Sequence, residues 1–116
     1  MKKCQLFVPL LLLFVAFGCK NNTVRIPAHI ISHDSIVNIL ADIHIMEALN
    51  IQGAINIHDS VKTLENYKLE IIEKYNLDVK RFDTSYAFYT ANPQLLDKVY
   101  NDILIELSKK KAEAEN

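Results

Sequence analysis

The sequence predicts an all-α fold, a small bundle of about four helices placed after a cleaved lipoprotein-type signal and a short tether. Three observations predict it. Apolar residues recur at three- and four-residue spacing along most of the chain, which is the period of a helix with one buried face. Helix-capping residues punctuate those runs at Ser32, Asp78 and Asn92-Pro93. No segment alternates convincingly in the period of a strand, and 116 residues with only two Gly make one domain at most. The expected organisation is a signal over 1–18, a tether over 19–25, a helical domain over 26–110 and a frayed tail over 111–116.

The first helix is expected from His33 to about Gln52. Ser32 is its N-cap, and Ile31 and Ile36 fall at the two positions of a hydrophobic staple. Ile36, Ile39, Leu40, Ile43 and Met46 form one stripe, and Val37, Ile45, Ala48, Leu49 and Ile51 a second. A helix apolar over more than half its circumference belongs at the centre of a bundle. Gly53 is its natural stop, and 53–58 a loop. The second helix follows an Asp59 or Ser60 cap and runs to about Tyr75, with Leu64, Tyr67, Ile71, Ile72 and Tyr75 inward.

Tyr75-Asn76-Leu77-Asp78 then reads as a turn, with Asp78 the N-cap of a third helix over Val79–Thr90 and Leu77 and Phe82 another staple pair. Phe82, Tyr86 and Tyr89 share one stripe of that helix, and Phe88 points elsewhere. Asn92-Pro93 is an N-cap followed by proline at the first helical position. The fourth helix runs from there to about Lys110, with Leu96, Val99, Tyr100, Ile103 and Leu107 inward. Three lysines, 109–111, suit the negative end of its dipole. The expected core is Ile39, Leu40, Ile43, Ile71, Phe82, Tyr86, Val99 and Ile103.

The N-terminus carries an address. Lys2 and Lys3 precede an uncharged stretch to Gly18 that is too short to span a bilayer of about 30 Å comfortably. Ala16-Phe17-Gly18-Cys19 resembles a lipobox, although Ala16 stands where Leu is usual. Cleavage by an ordinary signal peptidase after Gly18 is the alternative, and it leaves Cys19 a free thiol. Acylation accounts for a Cys at that position and makes the membrane the first partner. Processing leaves 98 residues with 11 basic and 14 acidic side chains, a net charge of −3. Cys19 is then the sole Cys, so no disulfide forms and stability rests on packing.

Some chemistries are disfavoured. A single retained Gly cannot build a phosphate-cradling loop or readily shape an oxyanion hole, and no Ser sits in a nucleophile elbow. A near-neutral balance without a basic stripe argues against nucleic acid. Two groups remain as site candidates. Asp42, His44 and Glu47 are the polar cluster on the otherwise apolar first helix. His44 and Glu47 share a face, while Asp42 lies about 200° from His44 at 100° per residue. Their spacing fits no metal motif, so no metal or cofactor is expected, and hydrogen bonding to another helix is the plainer role. Phe88, Tyr86 and Tyr89 are a candidate partner surface, because aromatic side chains often anchor interfaces. Filling the core is their plainer role.

One resemblance stands out. Ile36-x-x-Ile39-Leu40-Ala41-Asp42-Ile43-His44-x-x-Glu47-Ala48, then Ile72-x-x-Lys74-Tyr75, Phe82-Asp83-x-Ser85-x-x-Phe88-Tyr89, Asn92-Pro93 and Leu96-x-x-Val99-Tyr100 follow one another in fixed order. This order resembles a family of small Bacteroidota lipoproteins, the domain of unknown function 4296, over roughly Ile26–Leu107. The resemblance implies a lipid-anchored helical domain in the cell envelope and brings no activity, ligand or catalytic residue. The expectation is therefore a non-enzymatic binding or accessory module on the periplasmic side of the outer membrane, docking on an envelope protein. The alternative is a lipoprotein that sequesters a small ligand in an aromatic pocket.

Overall fold

The computed structural model describes residues 23–54 and 64–116. Within them the chain forms four helices and no strand: α1 (His33–Ile51), α2 (Leu64–Lys74), α3 (Val79–Thr90) and α4 (Pro93–Ala114). The expected signal, Cys19, most of the tether and the Asp59/Ser60 cap lie outside the described residues.

Local chemistry sets the helix ends. Ser32 Oγ accepts from the Ser35 N–H, and the staple residues Ile31 and Ile36 are both buried. At the other end of α1, the Gly53 N–H reaches Asn50 O and the Ala54 N–H reaches Leu49 O, with Gly53 at φ +69°. This is a Schellman cap, which needs a left-handed residue just past the helix.

The turn between α2 and α3 repeats the device with asparagine. The Asn76 N–H reaches Glu73 O, the Leu77 N–H reaches Ile72 O, and Asn76 sits at φ 55°. Asn tolerates this conformation better than most residues, but glycine carries no Cβ penalty there. Asn76→Gly is expected to raise stability by up to about 1 kcal/mol, and Asn76→Val to lower it by about 1–2 kcal/mol. Thermal melts followed by circular dichroism check both. Asp78 then caps α3, its Oδ1 accepting from the Arg81 N–H at 2.8 Å.

α1 is the hub. It buries Ile36, Val37, Ile39, Leu40, Ala41, Ile43 and Met46 and packs on both α2 and α4, while α3 closes the bundle against α2 and α4. Two polar contacts advance together along α1 and α4, His33 to Asp102 and Asp42 to Lys110, so these helices run in the same direction. The α2–α3 excursion is the crossover that makes this arrangement reachable.

Several expectations need correcting. Tyr86, Tyr100 and Leu64 are exposed rather than core, and Ile71 is half-buried. Asn92 caps nothing with its side chain at the start of α4; its Nδ2 donates back to Phe88 O at 2.7 Å and closes the end of α3. The expected frayed tail is helical as far as Ala114. Lys111, Ala112, Glu113 and Ala114 are good or tolerable helix formers, and Lys111 faces Glu115 one turn on.

Candidate functional site

The entry segment before α1 is held by polar groups that the sequence reading passed over. The Ile31 N–H donates to Ser85 Oγ at 2.9 Å, and Tyr89 Oη donates to Ile31 O at 2.9 Å. Ser85 and Tyr89 are both buried, at 0% and 1% exposure. Both backbone groups of Ile31 are thus satisfied by α3 side chains, as buried peptide groups must be. Tyr89 is therefore a core residue and not part of a partner surface. Burial raises the Tyr89 phenol above its ordinary value, and Asp34 adds to the shift. A wheel with 100° per residue puts Ser85 about 60° from Phe82 and about 40° from Tyr89, on the edge of the same face. That position is the signal that could have marked it as buried.

The polar cluster of α1 splits. Asp42 turns towards α2 and α4 and accepts three hydrogen bonds: from Lys110 Nζ at 2.8 Å, Tyr75 Oη at 2.8 Å and Lys74 Nζ at 3.2 Å. Burial alone would raise its carboxyl, but Lys110, Tyr75 and Lys74 together outweigh it and hold the group below its usual value. Burial and the Asp42 carboxylate push the Tyr75 phenol up to about 12. Asp42 is a clasp across three elements. A second clasp joins the start of α1 to α4, where His33 Nε2 lies 2.6 Å from Asp102 Oδ2 and Lys98 Nζ donates to the same oxygen at 2.8 Å. Lys98 and then His33 hold the Asp102 carboxyl below its ordinary range.

His44 and Glu47 face the other way, paired at 3.2 Å through His44 Nδ1. They border a hollow of about 190 Å³ to which all four helices contribute. Leu40, Ile43 and Phe82 supply its buried apolar lining; Lys68 and Asp83 add one charge of each sign. Lys68 Nζ also lies 5.5 Å from the Phe82 ring centroid, in cation–π range. Tyr86 and Tyr100 complete the lining. Tyr86 stacks on Phe82 with centroids 6.1 Å apart and planes 9° apart. It also hydrogen-bonds Tyr100, and its proximity, followed by burial, raises the Tyr100 phenol.

The structure thus brings His44, Glu47 and Tyr86 together and separates Asp42, Phe88 and Tyr89 from them. Phe88 is half-buried and packs against the core, meeting Tyr89 edge to face at 5.7 Å. The residues that sequence reasoning missed are Lys68 and Tyr100. Lys68 belongs to no pattern that marks it, and the spacing of Tyr100 from Leu96 places it on the expected inward stripe of α4. Leu104, one turn after Tyr100, is 63% exposed and continues the apolar surface along α4.

A larger hollow of about 500 Å³ lies between the entry segment and the α2–α3 turn, with Ile26, Pro27, Ile30, Tyr75, Leu77 and Arg81 among its walls. Among the described residues, no group of three or more His, Cys, Asp or Glu is placed to hold a metal ion. No described helix is long and apolar enough to cross a membrane.

No curated protein and no solved structure matches the chain. A family model does, over residues 27–113, from the turn that precedes α1 almost to the end of α4. The match therefore covers nearly the whole described helical domain, with the Asp42 clasp, the Ile31 anchor and the aromatic hollow inside it. The chain belongs to the family described as domain of unknown function DUF4296.

Proposed function

We propose that this is a lipid-anchored protein of the cell envelope whose helical domain binds another envelope protein and catalyses no reaction. The observation that carries the binding role is the exposed Tyr86–Tyr100 pair with Leu104 beside it. Large apolar side chains left in solvent at the edge of a hollow are what a protein partner covers, and Tyr is favoured for such anchors. Charges of both signs around the hollow, from Glu47, Asp83 and Lys68, supply the polar rim that protein interfaces carry. Anchoring rests on the sequence: a basic start, an apolar run, and a lipobox-like tetrapeptide ending at Cys19. The short tether Lys20-Asn21-Asn22 carries no acidic run, which favours a periplasm-facing position at the outer membrane.

Sequestration of a small ligand has weaker support. The aromatic hollow holds about 190 Å³, below the ~300–1,000 Å³ of ordinary ligand pockets. In the larger hollow the one aromatic, Tyr75, has its hydroxyl committed to Asp42.

The test combines a photo-crosslinker at position 104 with Tyr86→Ala and Tyr100→Ala in intact cells. A defined adduct is expected, and each substitution should weaken it at least several-fold while the melting temperature stays nearly unchanged. Adducts that persist in both variants would reject this surface. Cys19→Ala should release the protein from the membrane fraction and abolish palmitate labelling; retention with no label in the unmodified protein would reject the anchor.

A further inference from the structure

We infer that the tethered end of the domain rests on an anionic bilayer, with Arg25, Lys80 and Arg81 against lipid phosphates; this builds on the anchoring proposed above. The basis is a cluster that only the fold assembles. Lys80 and Arg81 of α3 and His29 of the entry segment line one open hollow of about 500 Å³, with Ala28, Thr84 and Asp78 as its other walls. Arg25 is exposed four residues upstream on the same entry segment. From Cys19 to Ser32 the charged residues are Lys20 and Arg25, both basic. Asp78 is the single acid in the hollow, and its carboxylate is already engaged by the Arg81 backbone N–H as the cap of α3.

The other basic groups of the domain are differently placed. Lys110 and Lys74 are bound to Asp42, Lys98 to Asp102, and Lys111 faces Glu115. Lys68 lies over the Phe82 ring, and Lys109 is exposed towards the far end of α4, so Arg25, Lys80 and Arg81 are the exposed basic group at the end that the lipid holds. Six residues separate Cys19 from Arg25, a reach of at most about 20 Å. Within that radius the local concentration of headgroups is high, so weak contacts become occupied. Each Lys or Arg near an anionic surface contributes roughly a fivefold gain in the docking equilibrium, so three give roughly a hundredfold. The processed chain carries −3 overall, so net charge alone does not draw it to an anionic surface and the contact depends on this local basic group. The same contact would leave the Tyr86–Tyr100 surface on α3 and α4 open to a protein partner.

The test uses acylated protein purified from membranes and reconstituted into phosphatidylethanolamine vesicles with or without phosphatidylglycerol. A fluorophore at Thr84→Cys, inside the basic hollow, reports distance to a nitroxide on the lipid headgroup. Quenching is expected in the anionic vesicles, to disappear in high salt, and to be weak in the zwitterionic ones. Arg25→Gln/Lys80→Gln/Arg81→Gln should lower the docking equilibrium roughly a hundredfold with an unchanged circular-dichroism melt. Lys109→Gln/Lys111→Gln, at the far end, should leave it as it was. Equal quenching in both vesicle types, or an unaffected triple variant, overturns the inference. So does reversal by inorganic phosphate at matched ionic strength, which would assign the hollow to free phosphate. Flotation separates the two readings. Protein that floats with zwitterionic vesicles but shows no anionic quenching keeps its anchor and loses this contact. Protein recruited by anionic vesicles alone keeps the contact and loses the anchor. Protein recruited by neither loses both.

Discussion

Tyr89→Ala is expected to remove a large share of the stability of this small domain. The ring is 1% exposed and packs where α3 meets the entry segment. Emptying such a site costs about 3–5 kcal/mol for a large aromatic, against a total of roughly 5–15 kcal/mol for a small domain. Because the variant also strands the Ile31 carbonyl, Tyr89→Phe separates the two contributions. It keeps the volume and removes only the hydroxyl that donates to Ile31 O, a loss of about 1–3 kcal/mol for a buried acceptor left unpaired. Ser85→Ala removes the matching acceptor for the Ile31 N–H and should cost a similar amount. The double variant should show coupling, since both side chains hold the same peptide. Urea denaturation followed by circular dichroism reads all four. A neutral Tyr89→Phe would mean that the Tyr89 hydroxyl does not help to hold the entry segment.

Asp42→Ala comes next in expected size, at about 2–4 kcal/mol, because one substitution strips the acceptor from Lys110, Tyr75 and Lys74 at once. Asp42→Asn keeps the shape and should cost less. The clasp also has a pH signature. Three donors hold the folded Asp42 carboxyl below its usual 3.8, so on acidification the unfolded chain takes up this proton first. The contribution is fully present above the unfolded value, near pH 4 and higher, and is lost as pH falls through the lower folded value. Denaturation midpoints measured from neutral pH downwards should therefore fall more steeply for the natural protein than for Asp42→Asn. Parallel curves would show that Asp42 is not the group that couples this domain to acid.

The Ile31 anchor and the Asp42 clasp join different sets of elements. The first pins the entry segment to α3, and the second joins α1 to the end of α2 and to α4. The hollow at His44, Glu47 and Tyr86 is walled by all four helices, which these contacts tie together, and that is how a surface keeps its shape before a partner arrives.

What the sequence determined by itself was whatever depends on residues within a turn of one another. The starts of α3 and α1 follow from Asp78 and Ser32, whose side chains reach their own helix N–H groups three residues on. The central place of α1 follows from its stripe Ile36, Ile39, Leu40, Ile43 and Met46, whereas the expected second stripe ends in solvent at Ala48, Leu49 and Ile51; the order of motifs along the chain already resembled the family that the chain belongs to. Tertiary structure decided everything in which a side chain chooses between distant partners. Tyr86 and Tyr89 share a helix face by spacing, yet one is exposed and the other buried, because the entry segment covers only the flank that carries Ser85 and Tyr89. Asn92 precedes Pro93 as a cap should, but its amide is satisfied by a carbonyl of the preceding helix instead. Asp42 lies 32 residues from Lys74, 33 from Tyr75 and 68 from Lys110, and no periodicity within α1 encodes that meeting. Helical period and capping are short-range physics and are written locally. Which flank is covered, and which charge finds a counter-ion, depends on how helices separated by tens of residues are stacked.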